Sequence, residues 1–286
     1  MKYIVAGCGY IGVATARLLA EVGCEVIGVT YSQESVVELE CEPFDVYSCD
    51  ISSAESVRLL RGKVGDGPFA VLHCASSGRG GAEAYQAVYH DGCVNLITEL
   101  SPQRFVFCSS TSVYAQTDGG WVDESAEANP GRETGRILRA TEDFVLARGG
   151  AVVRLAGIYG PGRSVLLRKF FSGEAVIEGD GLRWVNQIHR NDAASGLALT
   201  LRDLPPGIYN LADDQPTAQV EIYRWLAARF GKACPPFGPV DENRKRGVTN
   251  KRVSNARLRE CGWSAEFPSF FSAVDRDEGM VSRAQG

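Results

Sequence analysis

The amino-acid sequence predicts an α/β protein, a doubly wound parallel sheet with a smaller C-terminal subdomain. Three observations carry that expectation. Apolar, β-rich runs alternate with segments of helical period along most of the chain, as strand–helix–strand crossovers do in parallel sheets. A glycine-rich turn joins the first such run to the first helical segment. The chain has 286 residues, 44% hydrophobic and 23% charged, which suits a large core and excludes intrinsic disorder.

The first strand is expected over Lys2–Ala6. Ile11–Val22 follows as a helix, because Val13, Leu18, Leu19 and Val22 recur near helical spacing. Glu25–Thr30, Asp45–Ser48, Ala70–His73, Arg104–Cys108, Ala151–Leu155 and Ile208–Leu211 are the further strand candidates. Cys93–Leu100 and Thr141–Ala147 read as helices between them. Parallel neighbours need crossovers, and crossovers of one hand stack these elements into a doubly wound sheet. From about Asp213 the pattern changes to a helix over Val220–Phe230, a turn rich in proline at Pro235, Pro236 and Pro239, a basic stretch and a short helical segment. The domain expectation is one body of residues 1–161 and 184–213, and a smaller one of residues 162–183 and 214–286.

Thirty Lys and Arg against 35 Asp and Glu leave a formal net charge of −5, which argues against the electropositive face that nucleic-acid binding needs. No apolar run reaches the roughly 18 residues of a spanning helix, so no membrane partner is expected. The N-terminal segment meets Gly7 before a signal-type apolar region forms. The nine cysteines include no Cys-x-x-Cys pair, and Cys8, Cys24, Cys49, Cys74 and Cys108 fall in or beside apolar runs, as small hydrophobes do. Unpaired thiols without a secretion signal point to the cytoplasm, and no metal site is expected.

Directly after the first strand stands Gly7-Cys8-Gly9-Tyr10-Ile11-Gly12, and a helix begins at once. In that setting Gly7 permits the tight turn and Gly9 lets the backbone approach a pyrophosphate. Gly12 lets the helix pack close, while the helix start at Tyr10 and Ile11 offers unpaired N–H groups and the positive end of its dipole. A dinucleotide is the expected ligand. An acidic residue about 20 positions on usually holds the ribose 2′-hydroxyl of NAD. Here the second strand ends Thr30-Tyr31-Ser32, with Glu34 late. The missing carboxylate removes repulsion toward a 2′-phosphate, although no arginine stands there to bind one. The expected cofactor is NAD(P), with NADP slightly favoured. Asp50 and Ile51, after the third strand, suit either the adenine edge or a helix N-cap region.

Further motifs follow in order: Val71-Leu72-His73-Cys74-Ala75, Phe107-Cys108-Ser109-Ser110-Thr111-Ser112-Val113-Tyr114, Val153-Arg154-Leu155-Ala156-Gly157-Ile158-Tyr159-Gly160-Pro161-Gly162, Asn186-Gln187-Ile188-His189-Arg190-Asn191-Asp192 and Tyr209-Asn210-Leu211-Ala212-Asp213. With the glycine loop they make nearly the whole chain resemble the extended short-chain dehydrogenase/reductase family, the group of nucleotide-sugar epimerases and dehydratases. The resemblance implies a Rossmann-type domain with NAD(P) across its sheet and a C-terminal substrate-side lobe. It implies that Cys74, Ala75, Ser76 and Ser109 line the ribose and nicotinamide side, and that Leu155, Gly157 and Ile158 flank the nicotinamide ring. It also implies a homodimer through a four-helix contact, to which Cys93–Leu100 and Leu138–Ala147 would contribute.

In that family a Tyr-x-x-x-Lys pair does the acid/base work, the lysine lowering the pKa of a phenol that otherwise titrates near ~10. By the same resemblance Ser110 assists, with Thr111 and Tyr114 on the same loop. Glu142 fits the glutamate that follows the lysine, which puts Thr134 at the tyrosine position and Leu138 at the lysine position. Threonine is no phenolic acid and leucine carries no charge. The chain is thus an atypical member. Thr111-Ser112 also stand where 4,6-dehydratases carry an Asp-Glu pair.

The remaining polar candidates have plainer readings beside functional ones. Arg136 and Arg139 share the helix that lacks the lysine, but arginine stays protonated and is no base. His73 reads as a core histidine bonded to backbone, His189 as structural support beside Asp192, and His90 as solvent-facing. Arg79, in the loop Ser77–Gly81, would suit an anionic substrate. The basic stretch Arg244-Lys245-Arg246 to Lys251-Arg252 reads as a solvated face or a diphosphate site. Asp123, Glu124 and Glu127 read as surface. Three functions compete: an oxidoreductase or epimerase acting on a nucleotide sugar or related small carbonyl compound, an NAD(P)-binding redox sensor or regulator without catalysis, and a structural or assembly protein that kept the fold alone, which would have no reason to keep Gly9 unless the loop merely caps the helix.

Overall fold

In the computed structural model, which describes residues 1–286 except 79, 242–247, 283, 285 and 286, the chain begins with β1 (Lys2–Ala6), α1 (Gly12–Glu21), β2 (Glu25–Thr30), α2 (Gln33–Glu38) and β3 (Asp45–Ser48). It continues with α3 (Ala54–Val64), β4 (Phe69–His73), α4 (Ala82–Tyr85), a π-turn over Gln86–Asp91, α5 (Gly92–Leu100), β5 (Arg104–Ser110), a 3₁₀ turn over Thr111–Val113 and β6 (Trp121–Val122). Then come α6 (Glu133–Leu146), β7 (Ala151–Leu155), β8 (Gly157–Tyr159), α7 (Val165–Phe171), β9 (Ile177–Glu178), β10 (Trp184–Val185), β11 (Gln187–His189), α8 (Arg190–Arg202) and β12 (Gly207–Leu211). The last elements are β13 (Thr217–Ala218), α9 (Gln219–Phe230), β14 (Phe237–Gly238), β15 (Arg252–Val253), α10 (Ala256–Glu260), α11 (Phe270–Arg276) and α12 (Glu278–Ser282).

Seven strands form one sheet in the order β12-β7-β5-β4-β1-β2-β3. β1 pairs in parallel with both β2 and β4, so the strand order reverses at β1. That reversal opens a crevice at the carboxyl ends of β1 and β4, where open α/β sheets bind ligands. β4 and β7 are buried along their whole length, which is why both read as runs that are apolar apart from His73 and Arg154, and not as alternating ones. The fold is therefore the Rossmann-like α/β architecture that the sequence predicts, and every strand expected of the sheet forms. The helices differ from the periodicity at their ends: Ile11–Val22 forms as the shorter Gly12–Glu21, Cys93–Leu100 gains Gly92, and Thr141–Leu146 is the end of the longer α6.

The chain divides into two compact units. The first comprises Met1–Val113, Asn129–Arg154 and Ala194–Tyr209, and the second Tyr114–Ala128, Leu155–Ala193 and Asn210–Gly286. The second has its own core, in which Tyr159, Leu167, Phe170, Ile177, Tyr223, Leu226 and Phe270 pack together. Its strands pair in twos: β10 with β13, β11 with β8, β14 with β9 and β15 with β6. Among the described residues no helix is long and apolar enough to cross a membrane.

Candidate functional site

The glycine loop lies at the carboxyl end of β1, and its three glycines meet three different surroundings. A Cβ on Gly7, whose φ is +104°, would come within 2.2 Å of the Ala75 amide nitrogen. A Cβ on Gly12 would lie 2.2 Å from the Gly7 carbonyl oxygen and 3.2 Å from the Cys74 sulfur. A Cβ on Gly9 would meet nothing within 4 Å. The protein's own packing thus explains Gly7 and Gly12 and leaves Gly9 to an outside group, as a pyrophosphate approaching the backbone requires. α1 has Ile11 at its N-cap, with no side-chain cap and no acidic residue in its first turn, which keeps its N–H groups and dipole for an anion. The residues present fit a dinucleotide diphosphate.

Cys74 and Ala75, directly after β4, form the floor of this loop, and the Cys74 thiol lies 3.3 Å from the Gly7 carbonyl. The neighbouring Cys108 thiol and burial push the Cys74 thiol up, and burial pushes Cys8 up to about 12, so both stay protonated. All nine cysteines are free. Ser76 accepts a bond from the Gly78 N–H at 3.2 Å.

At the end of β2, Thr30 is buried with its hydroxyl donating to the Ser32 carbonyl at 3.1 Å, and Ser32 caps α2 by accepting from Ser35 N–H. Tyr31 is exposed and Glu34 lies beyond the cap. Asp50 accepts from the N–H and the hydroxyl of Ser52, and the cap of α3 is Ser53. Asp50 so shapes a local turn ahead of that cap. Asn95 donates to the Ile51 carbonyl at 2.9 Å.

His73 is wholly buried, as expected of a core histidine, and its Nε2 lies 2.8 Å from the Val88 carbonyl and so donates to it. Burial lowers its pKa to about 4. The π-turn places Tyr89 against His73 and Phe107, with the Tyr89 hydroxyl oxygen accepting from Ser77 N–H at 3.4 Å. His90 belongs to this turn. It is half-buried against Phe144 and not simply solvent-facing, because the wide turn directs it inward.

At the end of β5, Ser109 donates to Glu142 Oε1 at 2.6 Å. Arg154 of β7 holds the same carboxylate in a fork, Nε to Oε1 at 3.0 Å and Nη2 to Oε2 at 2.6 Å, with both side chains buried. An arginine in the apolar run Ala151–Leu155 was the signal for this pair, since a buried cation requires a partner. Ser110 accepts from Ser112 N–H at 3.2 Å, and Thr111 is buried in the turn that follows. α6 packs on this strand end and carries Thr134, half-buried, and Leu138, buried. Arg139 pairs with Asp143 at 2.6 Å, and Arg136 donates to the Gly131 carbonyl.

Within the second unit, Tyr114 is wholly buried, its hydroxyl 2.8 Å from the Asp123 carbonyl and 2.9 Å from Asn210 Oδ1. Both partners are acceptors for the one phenolic proton, and through them Tyr114 pegs its loop. Glu124 is half-buried and accepts from Asn210 N–H at 2.7 Å, which corrects its reading as surface. Leu155 is buried, Gly157 N–H donates to the Asn186 carbonyl, and Ile158 lies beside it on β8. His189 pairs with Asp277 at 3.1 Å, while Asp192 accepts from the N–H groups of Glu266 and Phe267. Lys251 is buried, bonded to the Tyr114 carbonyl and Thr249, and is no part of a solvated face. Arg79 and Arg244–Arg246 lie outside the described residues. Among the described residues no group of three His, Cys, Asp or Glu side chains is placed to hold a metal ion.

The chain matches no curated protein. Among solved structures it is similar to a Methylobacillus flagellatus protein assigned to the NAD-dependent epimerases/dehydratases, with 26% identity, a TM-score of 0.78 and coverage of 100% of this chain and 99% of that one. It shares its fold with the UDP-glucose 4-epimerase of Thermotoga maritima solved with UDP-glucose, at 20% identity, TM-score 0.82 and coverage of 99% and 98%. It also shares it with the UDP-glucose 4-epimerase of Thermus thermophilus solved with NAD, at 20% identity, TM-score 0.80 and coverage of 100% and 99%. Residues 3–212 match the model of the NAD dependent epimerase/dehydratase family, and the chain belongs to that family.

Proposed function

We propose that the protein is an NAD(P)-binding oxidoreductase or epimerase acting on a nucleotide sugar or a related small carbonyl compound, with a rearranged acid/base set. The observation that carries this reading is the space in front of Gly9, beside glycines that the fold itself needs. Family membership and the nucleotide-sugar ligand of a structure sharing its fold support the substrate class. NADP is favoured over NAD, because the end of β2 offers Thr30 and Ser32 and no carboxylate to repel a 2′-phosphate. Nine free thiols suit the reducing cytoplasm. A homodimer would form through α5 and α6.

The bound cofactor would supply the hydride acceptor. Its diphosphate would lie on Gly9, Tyr10, Ile11 and the start of α1, and Cys74, Ala75, Ser76 and Ser109 would line its nicotinamide side. The family resemblance adds Leu155, Gly157 and Ile158 to that list. The Ser109–Glu142–Arg154 network fixes the end of β5 and so aims Ser110 and Thr111. Ser110, Thr111 and Thr134 would orient a substrate hydroxyl by hydrogen bonds. Thr134 cannot take up its proton as a phenolate would, and the buried Leu138 supplies no charge to help. That replacement also favours a second reading, a dinucleotide-binding redox sensor without turnover.

Native mass spectrometry of the purified protein, with fluorescence titration of NADPH and NADH, tests the core of the proposal. Saturable binding, tighter for NADPH, is expected; binding of neither nucleotide overturns both readings. Ser110→Ala then separates them. Under the enzyme reading it lowers turnover on an accepted nucleotide sugar and leaves cofactor affinity unchanged.

A further inference from the structure

Tyr89 belongs to the π-turn over Gln86–Asp91, and three aromatic neighbours fix its ring. His73, the last residue of β4, has its ring centre 6.3 Å away, Phe107 of β5 lies 6.1 Å away, and Tyr85 meets the ring edge-on at 4.9 Å. His73 and Phe107 are partners in the strand register, so the phenol lies where β4 ends against β5. The bond from His73 to the Val88 carbonyl, at 2.8 Å, pins the residue just before it. The fold thus orders this side chain before any ligand arrives.

That place borders the dinucleotide loop. The Tyr89 oxygen accepts from Ser77 N–H at 3.4 Å, and Ser77 lies two residues beyond Ala75, whose amide closes on Gly7. Phe107 leads along β5 into Ser109 and Ser110, and α6, which carries Thr134, packs on the π-turn. Proton accounting then separates Tyr89 from Tyr114. The one proton of Tyr114 faces two acceptors. Among the described residues the partner of the Tyr89 oxygen is a donor, so the Tyr89 O–H has no acceptor there. The Ser77 hydroxyl oxygen is buried and also has no partner among the described residues. Two uncommitted hydroxyls at one place suit the oxygen of a ligand. Tyr89 is half-buried, which leaves its proton in exchange with solvent.

We propose that Tyr89 is the phenolic acid/base of the reaction, in place of the tyrosine that position 134 lacks. The assignment rests on the oxidoreductase or epimerase reading above. In the oxidising direction the O–H bond of a substrate alcohol breaks and its proton passes to the Tyr89 phenolate. The hydrogen on the same carbon leaves with its electron pair for the nicotinamide ring, so the alcohol becomes a carbonyl and the nicotinamide is reduced. In the reverse direction the phenol gives its proton to the carbonyl oxygen as the hydride returns. Between the two, the Ser77 N–H donates to the negative oxygen.

The test uses the full chain, with UDP-glucose as the probe and NADH affinity measured on every variant. Nitration of phenols by tetranitromethane, read by peptide mass, gives a readout apart from turnover. Tyr89 should be nitrated in the free chain and lose that nitration when NADH and UDP-glucose are both bound, while the buried Tyr114 stays unmodified throughout. Tyr89→Phe deletes the hydroxyl and keeps the ring. It should lower turnover of UDP-glucose by about 100- to 10,000-fold, the share of general acid/base catalysis, and leave NADH affinity unchanged. UDP-glucose affinity should fall by less than about tenfold, the scale of one hydrogen bond. Equal turnover in Tyr89→Phe and the unmodified chain overturns this assignment alone. So does a Tyr89 that resists nitration in the free chain, or whose nitration is untouched in a chain that binds both ligands. An unmodified chain that binds NADH and turns over no UDP-glucose loses the enzyme reading and this assignment with it. If NADH does not bind either, the proposed function falls as a whole.

Discussion

At Gly9 the fold leaves open space, and at Gly12 it leaves none. The two positions therefore separate ligand binding from stability. Gly9→Ala is expected to shift stability by no more than about 0.5 kcal/mol and to weaken dinucleotide binding by on the order of tenfold. Gly12→Ala places a Cβ 2.2 Å from backbone that has no side chain to give way, and it should cost about 1–3 kcal/mol of stability. Paired thermal melts and NADH titrations check both, and equal melting losses in the two variants would sink the distinction. The Glu142–Arg154 pair makes a second residue-scale prediction. Both side chains are buried and joined by two bonds, so Glu142→Gln takes the bonded carboxylate charge from a buried guanidinium and should cost about 3–5 kcal/mol in urea unfolding. Replacing both, as Glu142→Leu with Arg154→Met, should restore much of that loss, because the expense lies in the uncompensated charge. A double variant no more stable than the single one would mean that Ser109 depends on the carboxylate for more than its hydrogen bond. Glycine spacing was readable in the sequence, and so was Glu142 on its helix. Its partner was not, because a charge in an apolar run says only that a partner exists.

Among the elements, β4 and the π-turn over Gln86–Asp91 are tied by one hydrogen bond, from His73 to the Val88 carbonyl. The wide turn leaves that carbonyl to the imidazole, where an unbroken α-helix would use it within the helix. No local pattern in the sequence marks such a turn, and the buried histidine beside it accounts for the wider winding. Burial holds His73 neutral, with a pKa lowered to about 4 from its ordinary 6.5. The unfolded chain takes up a proton near pH 6.5 while the folded one does not until about pH 4. The contribution of neutral His73 is therefore fully present above the unfolded value and is lost as pH falls through this window, at about 1.4 kcal/mol per pH unit. Urea unfolding between about pH 7 and about pH 5 should show this slope, and His73→Leu should reduce it by one proton's worth even though the variant is less stable throughout. Identical slopes in the two proteins would mean that His73 does not carry the effect.

For the whole molecule, the reversal of strand order at β1 decides where a ligand sits, and the glycine loop lies at that point. Binding to the folded chain alone should raise its stability by mass action, by about 2.7 kcal/mol at a nucleotide concentration of one hundred times Kd. A thermal-shift series with NADPH and NADH reads this directly, and a melting temperature that ignores both nucleotides would contradict a built site. The sequence by itself determined the sheet and the glycine loop, because each is written in local periodicity or in a short spacing that the backbone must obey. Only the tertiary structure decided that Tyr114 is a buried peg, that Glu124 and Lys251 turn inward, that Arg154 answers Glu142, and that the Tyr89 oxygen meets the Ser77 N–H. Those facts pair residues dozens of positions apart in most cases, and whether a polar side chain is spent or available depends on the partner that folding brings to it.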